Sequence, residues 1–468
     1  MLVGGFFATR RRRALRAAWP GLAACAAALA CEPARCRAQP EDRAAAPAAD
    51  WAALHRRIKA HVDGVRAIDT HDHLEFERVP GLYTLWRESY FGPHLPALGT
   101  RDEHVPVATW WPLAQEAFAN GRAMGLYRYQ LPAFRDLYGV DFNKLTQDGA
   151  ERLDAAILER YRDPNWVRHV VTERSNVELL VIDYDYTPYD YVPPYDYGVA
   201  VVRLNPLVRG FHRTEYANDA ESPYGYAERH GLRLDSLDDY RAVLEHIMRR
   251  AADRGAVGMK STLAYSRTLR YENASDEEAA VAFGRERREL SPAQVKAFED
   301  WVFWRFCELS EKYELPLQIH TGYAFANSNP MHLENVVAAH PRTRFMLFHG
   351  GFPWVGETGM MLMRYPKNVW IDSNWLPTLS ATVARRAFHE WLDMVPSNRL
   401  LWGSDTLHAE GLYGATAVTR ACLAEVLAER VARGELEEAD ACRIGTQILR
   451  ENAIAAFPRL QRRFAKSP

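Results

Sequence analysis

The chain has no excess of charge of either sign: 58 basic and 60 acidic residues in 468 leave a formal net charge of −2. Without a field of one sign, nucleic acid and anionic membrane surfaces are poor partners, and a small-molecule substrate is the expected one. Cysteine is also scarce. Of the six present, Cys25, Cys31 and Cys36 precede the body of the chain, and Cys307, Cys422 and Cys442 sit in apolar, helix-like stretches. No disulfide framework is implied, and the last three read as core thiols. There is no short-period repeat. There is no phosphate-binding loop either, because the Gly-Gly of "FHGGFP" lacks the required spacing, which argues against an open doubly wound sheet. The apolar run at 14–30 is interrupted by Arg16 and too short for a stable membrane span.

The first 50 residues differ from the rest. A basic cluster, Arg10 to Arg13, is followed by an Ala-rich run and then a Pro/Ala/Arg stretch, the pattern of an export signal with a disordered linker. Leu22-Ala23-Ala24-Cys25 resembles a lipobox, which makes Cys25 a candidate lipid anchor. Cys36-Arg37-Ala38 would suit ordinary cleavage, and the consecutive arginines suit a twin-arginine route. The expectation is an exported protein, periplasmic or lipid-anchored, or a cytoplasmic one if this segment is only an over-extended tail.

From residue 51 to 468, short β-branched or apolar runs alternate with longer helical patterns. Strands are expected at 65–70, 177–183, 198–204, 256–261, 316–320, 344–349, 368–373 and 399–404. Eight strands with crossover helices predict an α/β fold, a (β/α)8 TIM barrel. Ser291-Pro292 has the form of a helix cap followed by a first-turn residue. Residues 76–176 break the rhythm after strand 1 with an aromatic-rich helical insertion containing Tyr83, Trp86, Tyr90, Trp110, Trp111, Tyr127 and Tyr129. This is either a lid that lines a pocket or a packing subdomain. The Tyr-Asp-Tyr and proline-rich segment at 184–198 cannot be regular structure and is expected to be a stiff loop.

Polar residues end these apolar runs. His71 and His73 follow strand 1, Lys260 ends strand 4, His320 ends strand 5, His349 ends strand 6 and Asp405 follows strand 8. In a parallel barrel those ends converge on one mouth, and two histidines two apart on extended chain point the same way. One His-x-His is a weak signal, but its recurrence with imidazole and carboxylate at other strand ends suits a zinc-like divalent ion. Asp72, between the histidines, points away and reads as structural.

The motifs "IDTHDH", "LQIHTG", "LFHGG" and "WGSDT" resemble those of the amidohydrolase superfamily. More narrowly, "VGMKSTLAYSR", "LPLQIHTGY", "NPMHL" and "YPKNVWIDSNW" resemble the amidohydrolase-related (amidohydrolase 2) group that includes the N-terminal domain of FluG-type proteins. The resemblance implies that His71, His73, His320 and Asp405 hold one catalytic ion, with Asp405 shuttling the proton of an activated water. It gives His349 two roles, stabiliser of the tetrahedral intermediate or ligand of a second ion. Carboxylated Lys260 would bridge two ions; with one ion, Lys260 would bind a substrate carboxylate. Tyr265, Arg267, Tyr323 and Trp375 are expected to shape the substrate pocket, Arg267 by gripping a carboxylate bidentately. Asn329, His332 and His408 lie near the same loops, His332 reading as a helix start. The expected activity is metal-dependent hydrolysis of an amide or lactone of a small carboxylate-bearing substrate. The alternatives are decarboxylation or uronate isomerisation on the same site, and the chain would be a monomer or a homo-oligomer.

Overall fold

The computed structural model describes residues 48–74, 78–100, 103–184, 189–217, 219, 221–324 and 326–465. The expected export leader and Cys25 lie outside the described residues. No helix among the described residues is long and apolar enough to cross a membrane.

Eight parallel strands form one sheet in sequence order: β1 (Ala67–Asp72), β2 (Val177–Ile182), β3 (Gly198–Arg203), β4 (Gly258–Ser261), β5 (Leu317–Ile319), β6 (Phe345–Leu347), β7 (Val369–Asp372) and β8 (Leu400–Leu401). The ring closes where the chain after β8 returns to β1: Thr70 N–H donates to Trp402 O at 3.1 Å and Asp405 N–H to His71 O at 2.9 Å. Each strand falls within an apolar run foreseen in the sequence or overlaps it to within two residues. Side-chain alternation sorts the strands' residues into two layers. Leu179, Val181, Val199, Val201, Met346 and Phe348 pack together with Phe457 and Leu460 of the C-terminal segment. Their neighbours Leu180, Ile182, Phe345 and Leu347 join the larger cluster shared with the surrounding helices.

Those helices begin where the sequence caps them. Ser291 accepts from Gln294 N–H at 3.3 Å, and the Gln294 side chain accepts in turn from Ser291 N–H at 2.8 Å, starting the helix Pro292–Tyr313. Ser236 and Asp239 form the same reciprocal cap on Leu237–Asp253.

The insertion has a hydrophobic core of its own. The Trp86 indole is its centre, with the rings of Phe142, Phe118, Tyr127, Phe91 and Phe134 at centroid distances of 4.8 to 5.7 Å. Its aromatics are therefore mainly packing residues, the second of the two readings the sequence left open. Buried rings of this size contribute about 1.5–3 kcal/mol each, enough for the segment to hold its shape against the barrel. The contact is close: a β-carbon on Gly414, in the helix Ala409–Ala432, would lie 1.9 Å from the carbonyl oxygen of Tyr129. Between Tyr184 and β3, the described residues contain no helix or strand, as the prolines require.

Candidate metal centre

The chain leaves each of several strands with a polar side chain turned into the barrel mouth. The register between β1 and β2 slips between Asp69 and Asp72, and such slips re-aim side chains. Here the imidazoles of His71 and His73 come together with the Asp405 carboxylate, all three ligand atoms lying within 4.8 Å of one another. Asp405 Oδ1 is 3.4 Å from His73 Nε2 and 3.8 Å from His71 Nε2. Asp72 does point away: it accepts from Leu74 N–H at 2.6 Å, from Thr406 N–H at 3.0 Å and from the Thr406 hydroxyl at 2.9 Å, tying the end of β1 to the chain after β8.

The backbone is strained at the same place. Six described non-glycine residues have positive φ, and four of them are Tyr323 (56°), His349 (58°), Trp375 (60°) and Asp405 (56°). Each costs on the order of 1–3 kcal/mol, and such costs concentrate where geometry serves function.

Hydrogen bonds set the imidazole tautomers. His73 Nδ1 is 2.7 Å from the carbonyl of Asp183 and must donate, so its Nε2 lone pair faces Asp405. His349 Nδ1 faces two acceptors, Asn374 O at 3.4 Å and Asp405 Oδ2 at 3.6 Å, and so carries the proton. His349 Nε2 then accepts from His320 Nδ1 at 2.9 Å, which leaves the buried Nε2 of His320 as a lone pair with no hydrogen-bond partner. His71 Nε2 meets Lys260 Nζ at 2.9 Å and is likewise an acceptor. Two imidazoles and a carboxylate in one cluster are a donor set suited to a zinc-like ion. His320 is turned towards His349 and stands outside the tight triplet.

The charges are consistent with this. Burial, then the Lys260 ammonium, holds the His71 pKa well below the usual histidine value. Burial likewise lowers His320 and takes His349 down to about 4, so these rings are neutral and ligand-competent. Burial opposes the charge on Asp405, but the hydrogen bond with His73 leads the influences that outweigh it and hold the carboxyl well below its ordinary range. His73 is the exception: Asp405 and Asp183 outweigh burial and raise its pKa, so this ring gives up an Nε2 proton when it binds an ion.

Two sequence expectations meet a different arrangement. Arg267 does not face the centre. Its guanidinium binds Glu299 at 2.9 Å and also Asp300, and lies 4.5 Å from the Tyr271 ring centroid, so it is committed to the protein interior. Lys260, expected to bind a substrate carboxylate or a second ion, is only 1% exposed and faces His71 and, at 3.9 Å, Asp183 Oδ2. The other pocket residues do gather: Tyr265 lies 4.3 Å from the His320 ring, and Trp375 lies 5.3 Å from His349 and 4.6 Å from Tyr323, centroid to centroid. Asn329 caps the short helix Pro330–Leu333, where His332 sits as expected.

Sequence reasoning missed Asp183, Arg203 and Tyr90. Asp183 follows the apolar β2 just as Lys260 and His320 end theirs, so the same rule finds it; Arg203, at the end of β3, holds it with two hydrogen bonds. Burial opposes ionisation of Asp183, but Arg203, Lys260 and His73 together push its pKa down. Tyr90 comes from the insertion and had no sequence signal. Its hydroxyl donates to the backbone carbonyl of Asp405 at 2.7 Å, and its ring lies 4.3 Å from that of Trp375.

A family model described as Amidohydrolase matches residues 234–459. Protein fluG of Emericella nidulans is 29% identical over 221 residues, a match that covers 43% of this chain and only 25% of that protein's length. Among solved structures, a uronate isomerase from Thermotoga maritima superposes with a TM-score of 0.69 at 13% identity, over 86% of this chain and 97% of the other. A glucuronate isomerase from Caulobacter crescentus gives 0.67 at 16% identity, over 87% and 94%. At such identities the structural likeness carries the barrel fold alone. Over residues 234–459 the chain thus matches the amidohydrolase family, whose members are metal-dependent enzymes, and over 221 residues it resembles a FluG-type protein.

Proposed function

We propose that this amidohydrolase-superfamily protein is a metal-dependent hydrolase that activates water to cleave an amide or lactone bond of a small carboxylate-bearing substrate. The reading rests on one observation: the ligand atoms of His71, His73 and Asp405 lie within 4.8 Å of one another. His71, His73, His320 and Asp405 would hold one ion, zinc being the first candidate for nitrogen and carboxylate donors. A second ion would call on Lys260 and His349. A bound ion of this kind supplies a Lewis acid that acidifies water and polarises a carbonyl oxygen.

The chain's own groups do the rest. Asp405, ionised at neutral pH, accepts the proton of the attacking water and returns it to the departing amine or alkoxide. His349, neutral with its proton on Nδ1, would stabilise the negative charge that builds on the substrate oxygen by turning that N–H to it from its long contacts with Asn374 O and Asp405. Lys260, shared in this structure between His71 and Asp183, would draw the substrate carboxylate to its side of the mouth, while Tyr265, Tyr323 and Trp375 flank the substrate. The first 50 residues support work in the cell envelope, with Cys25 a lipid anchor; assembly as a homo-oligomer is compatible with the same chemistry.

Elemental analysis of the purified chain tests the metal reading: about one divalent ion per chain is expected, and substantially less overturns it. Acid release from a panel of lactones and γ-glutamyl amides is then expected, abolished by a chelator and restored by zinc. Carbon dioxide release from aromatic acids, or interconversion of uronates without hydrolysis, would instead assign the site to a lyase or an isomerase.

A further inference from the structure

A cavity of about 420 Å³ lies between the insertion and the barrel, and it shares no wall residue with the candidate metal centre. Gly125, Arg128, Leu131 and Arg135 of the insertion form one wall; Pro377, Leu379 and the start of the helix Ala381–Met394 face them. The two sides meet closely at one edge, since a β-carbon on Gly125 would lie 2.5 Å from the carbonyl oxygens of both Thr378 and Leu379. Arg128 ends the same helical turn, Gly125–Arg128, so that contact holds it at the seam.

Every charged side chain described on the walls is an arginine: Arg128, Arg135 and Arg385. Two of them have carboxylate partners that are not part of the lining. Arg135 gives Nε and Nη2 to Asp136 at 2.7 and 2.8 Å, and Arg385 gives only Nη1 to Glu425, at 2.5 Å. Arg128 is exposed, and its guanidinium has no hydrogen-bond or ion-pair partner among the described residues. One positive charge is thus left over, on N–H groups that a guest can reach. An exposed arginine by itself needs only water, but the rest of this lining is largely apolar, with Leu131, Pro132, Pro377, Leu379 and Val418. A concave apolar pocket with a few convergent polar groups has the form of a small-molecule site, and the planar guanidinium fork matches a carboxylate.

We propose that this cavity binds an organic monoanion, a carboxylate carried on an apolar body, independently of the metal centre. The carboxylate pairs with Arg128 and with the N–H groups of Arg385 that Glu425 does not use, and the apolar body lies against Leu131, Pro377, Leu379 and Val418. Arg128 comes from the insertion and Arg385 from the barrel, so the bound anion ties the two together.

Octanoate, titrated calorimetrically into the full-length, metal-loaded chain, tests this beside octan-1-ol, which lacks the charge, and acetate, which lacks the apolar body. Octanoate is expected to bind at least about tenfold more tightly than either, and to make the insertion more resistant to limited proteolysis. Arg128→Gln and Arg385→Gln are each expected to weaken it about five- to tenfold, the loss of a charge-assisted hydrogen bond at a partly exposed site. Arg128 holds no other side chain in place, so its replacement leaves the fold intact even if that of Arg385 does not. An octanoate affinity that survives both substitutions puts the acid elsewhere, the metal centre included, and overturns the proposal. So does octan-1-ol or acetate binding as tightly as octanoate, or no binding of octanoate at all. None of these results bears on the hydrolase reading of the metal centre.

Discussion

The hydroxyl of Tyr90, on the insertion, donates to the main-chain carbonyl of Asp405, on the barrel, across 2.7 Å. Asp405 has φ 56°, and its N–H is held at 2.9 Å by the carbonyl of His71. The strained residue whose carboxylate faces His71, His73 and His349 is thus pinned on both sides, once from β1 and once from the insertion. The insertion thus helps to hold Asp405 in place.

Tyr90→Phe keeps the ring against Trp375 and removes only the hydrogen bond. A net loss of about 0.5–1.5 kcal/mol is expected, felt as a three- to tenfold weaker zinc affinity in competition with a chromogenic chelator and a comparable fall in kcat. An unchanged zinc affinity would mean that Asp405 holds its conformation without Tyr90.

Arg267 is a structural residue. Its side chain is 9% exposed and bridges Glu299 and Asp300. Arg267→Met leaves buried Glu299 without its hydrogen-bonded cation and Asp300 with Lys296 as its remaining cation, and breaking such a buried pair costs about 3–5 kcal/mol. Denaturant titration should show that loss, while KM of the surviving folded enzyme, measured in the cold, stays unchanged. A large rise in KM with normal stability would return Arg267 to the substrate pocket.

Gly414 allows the insertion to dock. A methyl group there meets Tyr129 O at 1.9 Å, a backbone atom that cannot turn aside. Gly414→Ala is expected to loosen the insertion from the barrel, exposing the segment to limited proteolysis and lowering activity, while far-ultraviolet circular dichroism changes little. Proteolytic resistance equal to that of the parent chain would contradict this.

Glu88 gives the pH dependence a sign. Burial raises its pKa, but hydrogen bonds from His408 and Arg78 outweigh burial and take it from 4.5 down to about 2. A carboxyl with a depressed folded-state pKa stabilises the fold fully above its unfolded value, and that stabilisation is lost as pH falls through the folded value. The stability gap between the parent and Glu88→Gln should therefore be constant above about pH 5 and narrow steadily from there towards pH 2. Equilibrium denaturation at a series of pH values measures it, and a gap that widens on acidification would reverse the assignment.

The sequence by itself determined the barrel and the residues at its mouth. A strand announces itself by a short apolar run, and in a parallel barrel every run ends on the same face, so the polar residue that closes "AIDTHDH", "LQIH" or "LFH" has its place fixed by topology. Asp183 obeyed the same rule and was overlooked. Only the tertiary structure decided what each long side chain does once there. Arg267 and Lys260 both carry charges that suit a substrate carboxylate, but one is held by Glu299 and Asp300, far from it in sequence, and the other turns in to His71. Tyr90 looks like any other aromatic residue of the insertion, because the contact that matters, to Asp405 O, is made across the chain. Periodicity and topology are local and repetitive, so one sequence carries them; the partner of a flexible side chain is set by packing between segments hundreds of residues apart.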